Sequence, residues 1–129
     1  MWHDDRIVLE SLNGEILSHV DQLDDEIMLT TVSGREIRIY HSQDCCETVS
    51  IEDTEGDWHR LIGKSILECT HDEERNGYPP PAYPDSWTRT ELTFKVDNHT
   101  VVSRWIGESN GYYSESVDIS DVTKQTKSE

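Results

Sequence analysis

The sequence is poor in cationic side chains and has no long apolar run. Of its 129 residues, 11 are Lys or Arg and 27 are Asp or Glu, so the formal net charge at pH 7 is −16. A surface of that charge repels nucleic acid and anionic lipid, which excludes proteins that bind either directly. No stretch approaches the roughly 20 apolar residues of a membrane-spanning helix. We therefore expect no membrane partner, and an attraction for cations and basic protein surfaces.

Cysteine is also scarce, and two of the three cysteines, Cys45 and Cys46, are adjacent. Residues 1–5 contain no basic segment leading into an apolar one, so the sequence predicts no secretory signal. An odd number of cysteines in that setting predicts reduced thiols in a cytoplasm. A nucleophilic thiol beside His41 is disfavoured, because the surrounding carboxylates stabilise the protonated form of the thiol.

Catalytic fingerprints are missing as well. The sequence has no P-loop, no Rossmann glycine pattern, no serine elbow and no HExxH motif. Acidic residues are so frequent that no pair stands out as a general acid and base. The sequence therefore favours a protein that is not an enzyme, with a metal-dependent nuclease or phosphatase as an open alternative.

The segments that are present alternate in polarity and are rich in β-branched residues. Residues 26–32 and 35–40 flank Ser33-Gly34, which predicts a β-hairpin with a two-residue turn. Further strands are predicted over residues 46–53 and 66–71. Between them, Asp57 to Gly63 is predicted to form one short helical turn, capped by Asp57 and ended by Gly63.

The last third of the chain is again predicted to be β. Apolar residues alternate over 92–96, a turn falls at 97–99, and residues 101–107 form the next strand. Asn110-Gly111 is the dipeptide that tight hairpins prefer, and a hairpin there would place Val102 opposite Ile119, Arg104 opposite Val117 and Trp105 opposite Ser116. The proline-rich residues 72–86, with prolines at 79–81 and 84, are predicted to be a loop.

These elements predict a mostly β fold with minor helix. Seven to eight short strands with one short helix are typical of a small antiparallel β-barrel or sandwich. We expect a single acidic domain over residues 1–120 and a disordered polar tail over residues 121–129.

The densest group of reactive side chains lies within residues 41–57. His41 with Cys45 or Cys46 is suited to zinc, and Cys69 and His71 could complete four ligands. The spacing departs from the paired Cys-x-x-Cys pattern, and adjacent cysteines are often small buried hydrophobes. The sequence therefore predicts no cofactor, with zinc or another divalent metal as the alternative.

Calcium is a second metal hypothesis for the same segment. Asp53, Glu55 and Asp57 offer carboxylate oxygens at alternate positions. Gly56 falls at the fourth place of this loop rather than the sixth, and the closing glutamate is missing, so a charged turn fits equally.

A second group of candidate residues surrounds Asn110-Gly111. It combines aromatic, hydroxyl and carboxylate side chains as binding surfaces do, although Trp105 and one Tyr could instead fill the core. Taken with the acidic segment, the candidate binding residues are Asp44, Glu47, Glu52, Asp53, Glu55, Asp57, Trp105, Glu108, Asn110, Tyr112, Tyr113 and Glu115.

Several strings in these two groups resemble a family of small acidic proteins of unknown function found in bacteriophage and some bacterial genomes. The resemblance covers about residues 16–119, outside the proline-rich 77–84, Cys69 and His71, and its strings are HSQDCCE at 41–47, IED at 51–53, GD at 56–57, LIG at 61–63 and GESNGYYSESV at 107–117. The resemblance implies a phage protein made in the bacterial cytoplasm and carries no activity.

The charge and this context together give the functional hypothesis. We expect a non-enzymatic phage accessory protein that binds and inhibits a host defence protein, such as a CRISPR or restriction complex, through an acidic surface that mimics DNA. The alternative is a protein that binds a small molecule, a nucleotide or a metal through the His, Cys and carboxylate group at 41–57.

Overall fold

Two four-stranded antiparallel sheets face each other in the computed structural model, which describes residues 6–76 and 85–123. The first sheet has the order β1-β2-β3-β8 and the second the order β4-β7-β6-β5. The prediction of a mostly β fold is confirmed as a sandwich, since neither sheet closes into a barrel among the described residues. The strands are β1 (Leu17–Gln22), β2 (Ile27–Thr31), β3 (Glu36–Tyr40), β4 (Thr48–Glu55), β5 (Glu68–Arg75), β6 (Ser86–Val96), β7 (His99–Ser109) and β8 (Asp118–Asp121).

The β2–β3 hairpin confirms the first local prediction, with a turn one residue longer than expected. Gly34 N–H donates to Thr31 O at 3.0 Å, and Thr31 N–H donates to Arg35 O at 2.9 Å. Gly34 has φ +100°, a conformation that favours glycine, so the turn is followed by a glycine bulge.

The predicted helical turn is a 3-10 helix over Trp58–Arg60, and a second 3-10 helix spans Leu9–Leu12. As predicted, the carboxylate of Asp57 caps the first residues, accepting the His59 N–H at 2.9 Å.

The predicted loop at 72–86 is too long, because β5 continues to Arg75 and β6 begins at Ser86. β5 is an edge strand, and its residues 72–75 are exposed and polar. They therefore lack the apolar alternation that predicts a strand. The proline-rich stretch 77–84 lies outside the described residues, as do residues 124–129 of the expected tail. Within that tail, Asp121 ends β8 and Val122 is buried.

The turn between β6 and β7 is confirmed, but the predicted hairpin at Asn110-Gly111 is wrong. β7 pairs with β6 on one side and with β4 on the other, while β8 pairs with β3 in the opposite sheet. Residues 110–117 therefore cross from one sheet to the other. We refer to them as the crossing segment.

The core fills the space between the sheets, and Trp105 and Phe94 are its largest fully buried side chains. Inward positions of β6 and β7 are apolar at one end of the sheet and become small and polar towards Ser86 and Ser109. The sandwich interior thus has a polar end, which the crossing segment covers. Among the described residues, the structure contains no helix with the length and apolar character that a membrane crossing needs.

Candidate functional site

The loop between β3 and β4 holds a buried carboxylate. Glu47 is 3% exposed, and its side chain receives the Asp44 N–H at 2.7 Å, the Cys45 N–H at 3.0 Å and His41 Nε2 at 2.6 Å. The hydrogen bond from His41 lowers the pKa of Glu47 to about 2, helped by the backbone N–H groups and opposed by burial. Glu47 is therefore ionised and fully engaged by its own loop.

His41 joins this loop to the crossing segment. Its Nδ1 lies 2.8 Å from Ser116 O, and its Nε2 faces the Glu47 carboxylate. Both ring nitrogens are therefore engaged, one on each chain segment. We call His41, Glu47 and Ser116 the clip, because hydrogen bonds on both sides of the His41 ring join the two chain segments.

The predicted cysteine ligands are not gathered around this histidine. Cys45 and Cys46 are exposed and form a disulfide with each other, contrary to the expected reduced thiols. Cys69 and His71 lie on β5, at one edge of the second sheet, whereas the loop with His41 leads into β4 at the other edge. The two edge strands are three strand spacings apart, which is about 14 Å. Burial raises the pKa of the Cys69 thiol to about 12, as do the Glu10 and Glu68 charges.

The described residues contain no group of three or more His, Cys, Asp or Glu side chains that could hold a metal ion. The oxygens of the calcium hypothesis do not converge either. Asp53 and Glu55 contact the guanidinium of Arg104 at 3.2 and 2.9 Å, whereas Asp57 caps the 3-10 helix.

The second predicted group divides into core, turn and surface. Trp105 is fully buried and its indole N–H donates to Ser103 Oγ at 2.9 Å. The Asn110 side chain accepts the Tyr112 N–H at 3.1 Å, which shapes the start of the crossing segment. Glu108 lies on the outer face of β7, away from the other members of the group.

Glu115 is the buried carboxylate of the crossing segment, at 6% exposure. Thr88 and Ser109 donate their hydroxyl groups to it, at 2.7 and 2.5 Å. Burial raises the pKa of Glu115, but these hydroxyls and the nearby charge of Arg75 outweigh it, and the net shift is downward. The segment lies directly on β7, because a Cβ at Gly107 would be 2.3 Å from Glu115 O.

A cavity of about 370 Å³ opens beside this carboxylate at the polar end of the sandwich. We call it the end cavity. Its walls include Glu73 and Arg75 from β5, Thr88 from β6, and Tyr112 and Tyr113 from the crossing segment. Sequence reasoning found the two tyrosines and missed the β5 wall. Extending the alternation of Cys69 and His71 by four residues would have placed Glu73 and Arg75 on the same inward side.

Of the other predicted carboxylates, Asp44 lies in the loop between β3 and β4. Glu52, Asp53, Glu55 and Glu108 lie on the outer face of the second sheet, which we call the acidic face. One cross-strand row runs Asp53, Arg104, Glu91 and Asp72 through β4, β7, β6 and β5. Arg104 Nε donates to Glu91 at 3.0 Å, and its other nitrogens reach Asp53 and Glu55, so the carboxylates raise its pKa. The face carries three cations, Arg89, Lys95 and Arg104. Against them stand eight carboxylates, namely Glu52, Asp53, Glu55, Glu68, Asp72, Glu74, Glu91 and Glu108.

A groove of about 310 Å³ lies within the acidic face. Glu52 and Arg89 form one wall, joined by an ion pair of 3.3 Å. Asp72 and Glu74 on β5 also line it, and neither has an ion-pair partner among the described residues. The acidic face therefore offers unneutralised carboxylates around a depression that can receive a side chain.

Comparison with known proteins identifies a family without an assigned activity. No curated protein and no solved structure matches the chain. The family model described as a domain of unknown function, DUF7448, matches residues 10–119, a range that holds the clip, the crossing segment, the acidic face and the end cavity. The chain belongs to this family of domains of unknown function.

Proposed function

We propose that the protein is a non-enzymatic binding protein that docks a basic protein surface on its acidic face. The observation that carries this proposal is the uneven placement of charge. Eight carboxylates and three cations share one sheet face, so that face alone has a formal charge of −5. The outer face of the other sheet is less acidic, with Asp21, Glu26, Glu36 and Asp118 against Arg38, which stacks over the Tyr40 ring at 3.9 Å and pairs with Glu26.

The regular backbone spacing of the sheet places these carboxylates at regular intervals. Neighbouring strands lie about 4.8 Å apart, and successive outward residues on one strand about 6.8 Å apart. Asp53 and Glu55 on β4, and Asp72 and Glu74 on β5, are pairs of this kind. A rigid array costs little conformational entropy on binding, so it favours association with an equally regular basic surface.

The finer proposal is that the partner is a nucleic-acid-binding defence protein of a bacterial host, inhibited in its cytoplasm by a phage-encoded mimic of DNA. In one DNA strand, successive phosphates are about 3.4 Å apart along the helix axis, so a carboxylate spacing of about 6.8 Å matches two phosphate steps. The net charge of −16 supports fast, salt-sensitive association with such a partner.

Binding kinetics against a restriction endonuclease and a CRISPR effector complex test this proposal. The variant Asp72→Asn, Glu74→Gln, Glu108→Gln removes three charges from the acidic face. A control triple variant at the exposed positions Glu10, Asp24 and Asp97 removes three charges elsewhere. We expect the first to slow association roughly tenfold and the second to leave it nearly unchanged.

Competition with target DNA separates the broad proposal from the finer one. Mimicry requires that duplex DNA displace the protein from its partner and that high salt weaken the complex. Binding that both triple variants weaken equally would refute docking on the acidic face. Binding on that face without competition by DNA would refute mimicry and retain the broader proposal.

A further inference from the structure

The end cavity carries opposite charges that do not neutralise each other. Glu73 and Arg75 lie two residues apart on the inward side of β5, opposite Thr90 and Thr88. Within the described chain, Arg75 forms no ion pair within 4.0 Å, although its charge acts on the nearby Glu115 carboxylate, and Glu73 has only a 3.8 Å contact with His71 Nε2. One wall of the cavity thus presents a guanidinium and a carboxylate that can each take a separate partner.

Thr88, the cross-strand neighbour of Arg75, supplies an acceptor, and the crossing segment supplies aromatic rings. The Thr88 hydroxyl gives its proton to Glu115, so its oxygen lone pairs remain to accept an N–H from a bound molecule. The Tyr112 side chain at the mouth is 86% exposed, and Tyr113 is half-buried beside it. Tyrosine faces attract ammonium groups when water is excluded.

These charges decide the chemical class of ligand. A simple anion would meet the carboxylates of Glu73 and Glu115, and a simple cation would meet Arg75. A neutral ligand would displace water from Glu73 and Arg75 without offering an opposite charge in its place, and each desolvated charge costs free energy. A molecule with both charges satisfies each of them, and about 370 Å³ is the volume of a small-ligand site.

We propose that the end cavity binds a free α-amino acid, with Arg75 receiving its carboxylate and Glu73 and Thr88 receiving its ammonium group. This site is separate from the acidic face. A planar guanidinium matches a carboxylate with two parallel hydrogen bonds, which fixes the orientation of the ligand. The ammonium group then points towards Glu73, Thr88 and the tyrosine rings.

Calorimetric titration with the twenty α-amino acids, their methyl esters and their N-acetyl forms tests this assignment. We expect saturable binding of at least one amino acid, and binding roughly tenfold or more weaker for both derivatives, since each lacks one charge-assisted contact. The variant Arg75→Gln should lose the discrimination against the methyl ester, and Glu73→Gln the discrimination against the N-acetyl form.

Matched controls and contrary outcomes are available for each step. Arg60→Gln and Glu10→Gln remove the same charges from exposed positions elsewhere and should leave binding unchanged. The proposal is overturned if no amino acid binds, if the derivatives bind as well as their parents, or if dipeptides bind equally, since their charges lie farther apart. The acidic-face triple variant should retain amino acid binding, so failure of this proposal is distinct from failure of the docking proposal.

Discussion

Adding one methyl group at Gly107 should displace the crossing segment from its close contact with the second sheet. A Cβ at this position would lie 2.3 Å from Glu115 O and 2.8 Å from Glu115 Cβ, where ordinary contacts are 3.4 Å or more. The segment must therefore move by about 1 Å, because the obstructing oxygen belongs to the backbone and cannot rotate away.

The cost follows from two opposing effects of Gly107→Ala. Overpacking of a close contact costs about 1–3 kcal/mol. Replacing glycine within a strand recovers about 0.5–1 kcal/mol of chain entropy. Overpacking wins, so we expect the free energy of unfolding to fall by about 1–2 kcal/mol and the melting temperature by about 4–8 °C.

A double-mutant cycle with Ser109→Ala tests whether Gly107→Ala weakens the hydrogen bonds of Glu115. Ser109 donates to the Glu115 carboxylate, so its loss in the native protein should cost about 1.5–3 kcal/mol. In the Gly107→Ala background the same substitution should cost less, since the carboxylate has already moved. Urea denaturation of the four proteins gives the coupling energy.

Gly14→Ala provides the control background. No atom lies within 4 Å of a Cβ at Gly14, so only its φ of +90° opposes the substitution. Its effect should add to that of Ser109→Ala within about 0.5 kcal/mol. The contact between the crossing segment and β7 would be refuted if Ser109→Ala cost the same free energy of unfolding in the Gly107→Ala and Gly14→Ala backgrounds. It would also be refuted if Gly107→Ala did not lower the melting temperature.

Three further predictions concern the clip and the 3-10 helix. The pKa of Glu47 in the folded protein is about 2, below its ordinary 4.5. Its contribution to the free energy of unfolding is therefore complete above pH 4.5 and is lost as the pH falls towards 2. Urea denaturation across this window should depend less on pH for Glu47→Gln than for the native protein. A chelator should leave the melting temperature unchanged, and elemental analysis should find no stoichiometric metal, because both ring nitrogens of His41 are engaged and Cys45 and Cys46 bond each other. Asp57→Ala should cost about 1 kcal/mol of unfolding free energy by removing the cap, whereas Asp57→Asn should retain most of it.

The elements predicted from the sequence are those that local chemistry determines. The β2–β3 hairpin follows from alternation around Ser33-Gly34, and the 3-10 helix from the capping residue Asp57. Both signals lie within a few residues of the structure they specify. A local signal of equal strength, Asn110-Gly111, was misleading because it shapes a turn whose two arms enter different sheets.

The pairing of β4 with β7 could not be predicted from any local signal. It joins residues 48–55 to residues 102–108, and the chain between them contains two other strands. Inward positions near the end of β7 are occupied by Gly107 and Ser109, so they lack the apolar alternation that marks a buried face. The β5 wall of the end cavity was missed for the same reason, since Glu73 and Arg75 line a polar space.

The structure divides the acidic residues into two kinds with different consequences. Glu47 and Glu115 are buried, and each is satisfied by hydrogen bonds that hold the crossing segment, from the clip on one side and from β6 and β7 on the other. Neutralising either one should alter the fold before it alters binding. Asp72, Glu74 and Glu108 are held by backbone pairing alone, so their side chains can change without structural cost. Substitutions of Asp72, Glu74 and Glu108 should therefore change the charge of the acidic face without a cost in stability, which makes them suitable for testing the docking proposal.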